Sequence, residues 1–255
     1  MSFLFYRVTF LFGILLSAIS LFSCSTRQYA ALSSEPTMML VDSTIIADST
    51  ITRYIQPYKQ QLDARMNQVI GYSAQHLNKN AVNGQSLVGN FFADALLAIG
   101  QQLDPETIVS FATKGGIRSD VKAGKITVGH VFELMPFENY ITILSLKGSE
   151  LIKLATFIAK AEGHPISNMQ VIIKDKQVVD FLIDGNALDT QKTYKVVTYD
   201  YLANGGDYTE GLNNPIKRFD TDLRVREALI GYIENLEKNN QTLDAQIDER
   251  VKIIK

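Results

Sequence analysis

Apolar positions change their spacing several times along this chain, and each change predicts an element. Over residues 50–66, Ile51, Tyr54, Ile55, Tyr58 and Leu62 recur at the three- and four-residue intervals of one helix face. Residues 67–74 then read as extended. Residues 86–100 (SLVGNFFADALLAIG) carry the strongest helical pattern, with Ser86 as N-cap and Gly100 as C-cap. A short buried strand at 107–112 leads into a glycine-containing turn at 113–118. Thr127 caps a short helix over 128–134, and 141–146 is a strand. Ser149 caps the next helix, through Lys160, with Leu151, Leu154, Ala155 and Ile158 on one face. Residues 169–174 and 178–183 pair as a hairpin around Asp175-Lys176. A strand at 192–199, a helix at 225–236 and a last strand at 251–254 complete the order. The elements lack regular βαβ alternation, and no internal repeat or second core is visible. The pattern predicts an α+β fold with one domain over residues 50–255.

The N-terminus follows a different logic. Arg7 precedes an almost wholly apolar run over residues 8–22, shorter than the ~20 residues a membrane-spanning helix needs. Residues 1–23 therefore read as a signal peptide. Its end, Leu21-Phe22-Ser23-Cys24, resembles the bacterial lipobox, which implies that Cys24 is acylated and becomes the new N-terminus. More than one acyl chain on that residue suffices for stable anchoring. Residues 24–49 are Ser/Thr-rich and aperiodic, as in a flexible tether. The expected location is the cell envelope, lipid-anchored and facing the periplasm or the exterior.

Composition removes several function classes. With 25 basic and 27 acidic residues, the net charge of -2 offers no broad cationic surface for nucleic acid. Cys24 is the single cysteine, so no intramolecular disulfide can form. The three histidines, His76, His130 and His164, are scattered, the first two without acidic neighbours in sequence and the third in a loop. Two-metal phosphoesterases need Asp-x-His, Gly-Asp and Gly-Asn-His-Asp/Glu groupings to hold cations and activate water. Neither Asp-x-His nor Gly-Asn-His occurs in this sequence, the single Gly-Asp is Gly206-Asp207 in a glycine turn, and no residue reads as an activated nucleophile.

The remaining candidates are loop residues. Phe137 lies between Pro136 and Glu138-Asn139 at a strand entry, and Tyr201 just precedes the Gly205-Gly206 turn. Two loop aromatics can sandwich a flat base, and they can equally be ordinary core residues. Arg118 offers a fork for a phosphoryl or carboxylate oxygen pair, or a surface ion pair of small value. Asp207 can close an Asx turn, and Asn139 can cap a strand end. Gly115, Gly116, Gly205 and Gly206 let backbone approach a ligand or adopt positive φ.

Four segments taken in order narrow these alternatives. They are Gly89-Asn90-Phe91-Phe92-Ala93-Asp94-Ala95; Lys114-Gly115-Gly116-Ile117-Arg118 with Ala123-Gly124-Lys125-Ile126-Thr127; Pro136-Phe137-Glu138-Asn139-Tyr140 with Leu146-Lys147-Gly148-Ser149-Glu150-Leu151; and Tyr201-Leu202-Ala203-Asn204-Gly205-Gly206-Asp207-Tyr208. Over roughly residues 60–255 the chain resembles the C-terminal, substrate-binding domain of 5′-nucleotidases, a family that includes UDP-sugar hydrolases and 2′,3′-cyclic phosphodiesterases. The resemblance implies a mixed sheet with flanking helices. It implies that Phe137 and Tyr201 clamp the nucleobase, Asn139 bonds the base edge, Asp207 takes ribose hydroxyls and Arg118 faces the phosphate. It also implies a nucleotide or nucleoside ligand. This chain itself would hold no cofactor, the divalent metals sitting on a separate metallophosphatase chain. A non-catalytic nucleoside-binding lipoprotein is the alternative. Three departures bear on phosphate: Thr113-Lys114 stands where the family has Asn-Gly or Ser-Gly, residues 83–86 lack the arginines of some members, and Pro165-Ile166-Ser167-Asn168 replaces a Ser-Gly.

Overall fold

The computed structural model describes residue 36 and residues 38–254. Residues 1–23, read above as a signal peptide, and Cys24 lie outside the described residues. Residues Thr52–Lys255 form one compact unit, and the residues before them fall in another.

Six helices and eleven strands occur in the described residues. Helix α1 spans Ser49–Met66, β1 Val69–Ser73, α2 Leu87–Leu103 and β2 Thr107–Phe111. After a 3-10 turn at Lys114–Gly116 come β3 (Gly124–Thr127), α3 (Val128–Leu134), β4 (Tyr140–Lys147) and α4 (Gly148–Lys160). Strands β5 (Ile166–Ser167), β6 (Met169–Lys174), β7 (Gln177–Ile183), β8 (Asn186–Ala187) and β9 (Thr193–Tyr199) follow. The chain ends with α5 (Asp200–Ala203), a 3-10 turn at Gly206–Tyr208, β10 (Lys217–Arg224), α6 (Val225–Lys238) and β11 (Val251–Ile254).

The fold is α+β, with a five-stranded sheet ordered β10-β4-β9-β2-β5 and a four-stranded sheet ordered β11-β6-β7-β8. A third, two-stranded sheet pairs β1 with β3. In the five-stranded sheet β9 runs parallel to β2 and antiparallel to β4. The C-terminal ends of β2 and β9 and the N-terminal end of β4 therefore share one edge, and that edge carries the site. Helix α2 packs on β2, β5 and β9, and α4 on β4, β6 and β7. Phe92, Leu96, Phe111, Leu144, Leu154 and Val197 are fully buried in this core.

Local chemistry accounts for most of the elements. Ser86 caps α2 by accepting from Gly89 N. Thr127 caps α3, where its side chain accepts from His130 N while His130 Nδ1 accepts from Thr127 N. Asp175 and Lys176 both adopt positive φ, 50° and 60°, as a two-residue hairpin loop requires.

Two expectations are corrected, and two further features were not foreseen. Gly100 does not end α2, which runs on to Leu103; a Cβ at Gly100 would lie 2.7 Å from Val197, so the glycine serves close helix–strand packing. Ser149 does not cap α4: the helix begins at Gly148, which is pressed against the Asp189 carbonyl, and the flanking Lys147 makes no side-chain cap bond. The apolar face of α1 is not core, since none of its residues is buried. Strand β10 was not expected, because its sequence KRFDTDLR has five charged residues and no apolar alternation. An edge strand with solvated side chains carries little of the period-two signal.

Candidate functional site

The sheet edge sets the geometry. Ile141 of β4 pairs with Tyr199 of β9, so Phe137 and Tyr201 leave neighbouring strands at the same end. Asp200 ties the start of β4 to α5: its Oδ1 accepts from Tyr140 N at 3.0 Å and from Tyr201 N at 2.8 Å. The Asn139 carbonyl accepts from Val225 N at 2.9 Å. The turn after β2 brings Gly115, Gly116 and Arg118 to the same place. The result is an open cavity of about 310 Å³ lined by Gly115, Gly116, Arg118, Phe137, Asn139, Tyr199, Tyr201 and Asp207. Of the nine expected site positions in the described residues, only Gly205 and Gly206 do not line it.

Those two glycines shape the wall instead. Gly205 has φ 84°, and a Cβ at Gly206 would lie 2.5 Å from the Tyr201 ring. The turn thus presses backbone onto the ring and fixes its inner face. Gly116 has the matching role opposite, where a Cβ would sit 2.5 Å from the Tyr199 hydroxyl.

Asp207 is held from two sides. Thr113 Oγ1 donates to its Oδ2 at 2.5 Å and Tyr201 Oη to its Oδ1 at 3.0 Å, while its own backbone N donates to Tyr201 Oη at 3.2 Å. An ionised carboxylate has about four acceptor positions, so about two stay open for a ligand. Its φ of 53° is left-handed, a strained setting for a residue without glycine's freedom. Arg118 Nη1 donates to the Gly115 carbonyl at 3.1 Å, and its Cζ lies 5.8 Å from the Phe137 ring centre. That leaves most of the guanidinium fork exposed at the cavity mouth. Phe137 and Tyr201 are each partly exposed, at 38% and 47%, so neither is a core aromatic.

Besides Asp200, three residues that support the site were missed by sequence reasoning. Tyr199 is buried at the cavity floor; burial pushes its phenol up to about 12, against the opposing effect of hydrogen bonds with Thr113. Thr113 itself links Tyr199 to Asp207. Arg226, at the start of α6, donates to the Phe137 carbonyl at 3.2 Å, pairs with Glu138 and lies 4.1 Å above the Phe132 ring. This bond to Arg226 is the largest cause holding the Glu138 carboxyl below its ordinary range. Nothing local in Val225-Arg226-Glu227 points to a loop 88 residues away.

The neighbourhood of Lys114 differs from the family pattern without blocking the cavity. Its Nζ donates to the carbonyls of Ala161 and Glu162 at 2.9 and 3.4 Å, away from the ligand cavity. It lines instead a small void of about 40 Å³, with Ser86, Asn90 and His164. Asn90 serves the architecture: its amide donates to Gln85 Oε1 and the Gln246 carbonyl, fastening the C-terminal segment to α2.

The histidines are better partnered than expected. His76 Nε2 lies 3.1 Å from Asp120 Oδ2, a pairing across 44 residues that sequence neighbours did not reveal. His164 stacks on Phe157 at 5.1 Å with rings 8° apart, and accepts from Lys114 N through Nδ1. Burial first, and the Lys114 charge second, push it down to about 4. Among the described residues no group of three His, Cys, Asp or Glu stands close enough to hold a metal ion.

The His164 environment gives a prediction with a definite sign. A histidine kept neutral in the fold adds stability that is complete above its unfolded value, near 6.5, and is lost as pH falls from there through about 4. A drop of this size corresponds to about 3 kcal/mol. Urea melts at pH 7 and pH 4 should show that His164→Phe loses less stability on acidification than the parent. Equal losses would mean that His164 titrates normally.

The comparisons with known proteins bear on the family and the fold. Residues 69–213, more than half of the chain, match the family model described as 5'-nucleotidase, C-terminal domain. Protein UshA of Escherichia coli strain K12 is 31% identical over 145 residues, covering 54% of this chain and 26% of UshA. The cell wall protein Lmo0130 of Listeria monocytogenes is 23% identical over 234 residues, covering 81% of this chain and 30% of its own. Among solved structures, the 5'-nucleotidase precursor from Thermus thermophilus superposes with a TM-score of 0.68 at 27% identity, over 80% of this chain and 43% of that one. The chain spans less than half the length of each. With its cavity on the sheet edge and its motifs in order, it belongs to the 5'-nucleotidase C-terminal domain family.

Proposed function

We propose that this chain is the nucleotide-recognising part of a phosphohydrolase whose metal-bearing phosphatase domain is a separate chain. The observation that carries this reading is the convergence of Arg118, Phe137, Asn139, Tyr201 and Asp207 on one cavity. Phe137 and Tyr201 take the two faces of a base, each worth about 1–3 kcal/mol, as in base stacking elsewhere. Asn139 bonds the base edge. The open acceptor positions of Asp207 take ribose hydroxyls, and the Arg118 fork meets phosphate oxygens. The divalent metals, and the water they activate, belong to the partner chain. The chain works in the cell envelope, held through lipid on Cys24. The relative described as a cell wall protein supports that compartment. No helix among the described residues is long and apolar enough to cross a membrane.

Phosphate release tests the division of labour. Alone, the purified chain should not hydrolyse nucleoside monophosphates above background with Mn²⁺, Zn²⁺ or Co²⁺. Mixed with a metallophosphatase chain encoded beside it, it should raise turnover of nucleotides more than of p-nitrophenyl phosphate, because it adds base recognition and positioning. Arg118→Ala should reduce that gain more than Lys114→Ala, whose ammonium faces away. Robust metal-dependent hydrolysis by this chain alone would overturn the reading. Nucleoside binding with no gain on mixing would favour a binding lipoprotein without a catalytic partner.

A further inference from the structure

Helix α1 presents a face that the fold leaves uncovered. Tyr54, Ile55, Tyr58 and Leu62 follow three- and four-residue spacing, so they share one side of the helix. They are 72%, 46%, 65% and 55% exposed. The helix is attached at its C-terminal end, where Met66 packs against the core. It lies outside the family-matched segment, which begins at residue 69, so family membership does not account for it.

The charge on this helix indicates what covers the face. Within residues 52–66, Arg53, Lys59 and Arg65 oppose Asp63 alone, a net of +2 on a chain whose total is -2. All four charged side chains are exposed. Lys59 pairs with Asp63 at 2.6 Å along the helix. Tyrosines with short aliphatic side chains on one side, with Arg65 in line with them and Lys59 at their flank, suit the boundary between headgroups and acyl chains. A second protein would need a complementary acidic, apolar groove; a bilayer rich in anionic lipid supplies both properties at any point of its surface.

We propose that α1 lies in the interface of an anionic membrane, with Tyr54, Ile55, Tyr58 and Leu62 toward the acyl chains. Arg65, in line with that face, and Lys59, at its flank, engage lipid phosphates. Each such cation raises affinity for an anionic surface about fivefold. The helix is too polar to span, and it binds along the plane.

The test uses the full chain. Ile55→Cys and, as a control on β7, Val179→Cys are labelled separately with an environment-sensitive fluorophore, and the parent chain reports any dye taken by Cys24. Vesicles of phosphatidylethanolamine are compared with vesicles that also contain phosphatidylglycerol. In the anionic vesicles the label at 55 should shift to the blue and become several-fold less accessible to aqueous iodide, while the label at 179 stays unchanged. Arg65→Gln should weaken the binding that gives this protection about fivefold, as loss of one such cation implies. Equal quenching at 55 with and without phosphatidylglycerol would overturn the proposal. So would protection in lipid-free buffer that grows with protein concentration, which would assign the face to a second copy. Protection seen only on adding a metallophosphatase chain would assign it to that protein and would equally overturn the membrane assignment.

Discussion

Alanine at Gly116 and alanine at Gly206 should damage the same cleft in different ways. Each added Cβ would lie 2.5 Å from a tyrosine, Gly116 from the Tyr199 hydroxyl and Gly206 from the Tyr201 ring. Tyr199 is buried at 1% exposure and cannot swing aside. Overpacking of that kind costs about 1–3 kcal/mol of stability. The displacement passes to Thr113, which orients Asp207, so ligand affinity should fall as well. Tyr201 is half exposed and can move away from a new methyl group. Gly206→Ala should therefore leave stability within about 1 kcal/mol of the parent. It should still lower nucleoside affinity about as much as losing the ring, because the ring leaves its seat and its bond to Asp207. Urea denaturation beside ligand titration separates the two outcomes. Equal stability losses in both variants would contradict the distinction between a buried and a mobile tyrosine.

Much of the fold was legible because its signals are local. The capped helices α2 and α3, the Asp175-Lys176 hairpin and the buried strands β2, β4 and β9 each follow from a few adjacent residues. The features that escaped depend on partners distant in sequence. Gly100 resembles a helix stop until Val197 is seen against it. Gly148 is forced by the Asp189 carbonyl rather than by capping chemistry. Strand β10 is recruited by pairing with β4 and carries no apolar period of its own. The amphipathic pattern of α1 was read correctly as helix, but periodicity alone does not say whether an apolar face meets protein, lipid or water.

The site divides along the same line. Phe137, Asn139, Tyr201, Asp207, Arg118 and the two glycine pairs stand in short motifs whose order could be read. What holds them could not. Thr113 reaches Asp207 across 94 residues and Arg226 reaches Glu138 across 88. Asp200 joins the start of β4 to α5 through backbone N–H groups that no motif records. Lys114 is a bulky cation at a position the family gives to glycine, and such a side chain is expected to crowd the ligand. Its ammonium instead satisfies the carbonyls of Ala161 and Glu162 beside His164, and the desolvation there lowers its affinity for a proton.

The second large effect concerns the aromatic pair. Phe137 comes from the loop before β4 and Tyr201 from the short helix α5, and both are partly exposed toward one cavity. If a base lies between them, each contributes about 1–3 kcal/mol, so each alanine variant should weaken binding by roughly 5- to 150-fold. The double variant need not lose the sum, because the first truncation already opens one face of the base. Phe137→Tyr should retain most of the affinity, since the ring face is kept. Neither aromatic is buried deeply enough for these changes to unfold the chain, and circular dichroism should confirm intact structure.

Titration calorimetry of the purified chain with adenosine, guanosine, cytidine and uridine, and with their 5′-monophosphates, tests base recognition most directly. Saturable heat is expected with at least one of them. That heat should disappear within the same concentration range when both Phe137 and Tyr201 are alanine. No heat with any of these ligands at millimolar concentration, or undiminished binding by the double variant, would contradict the account.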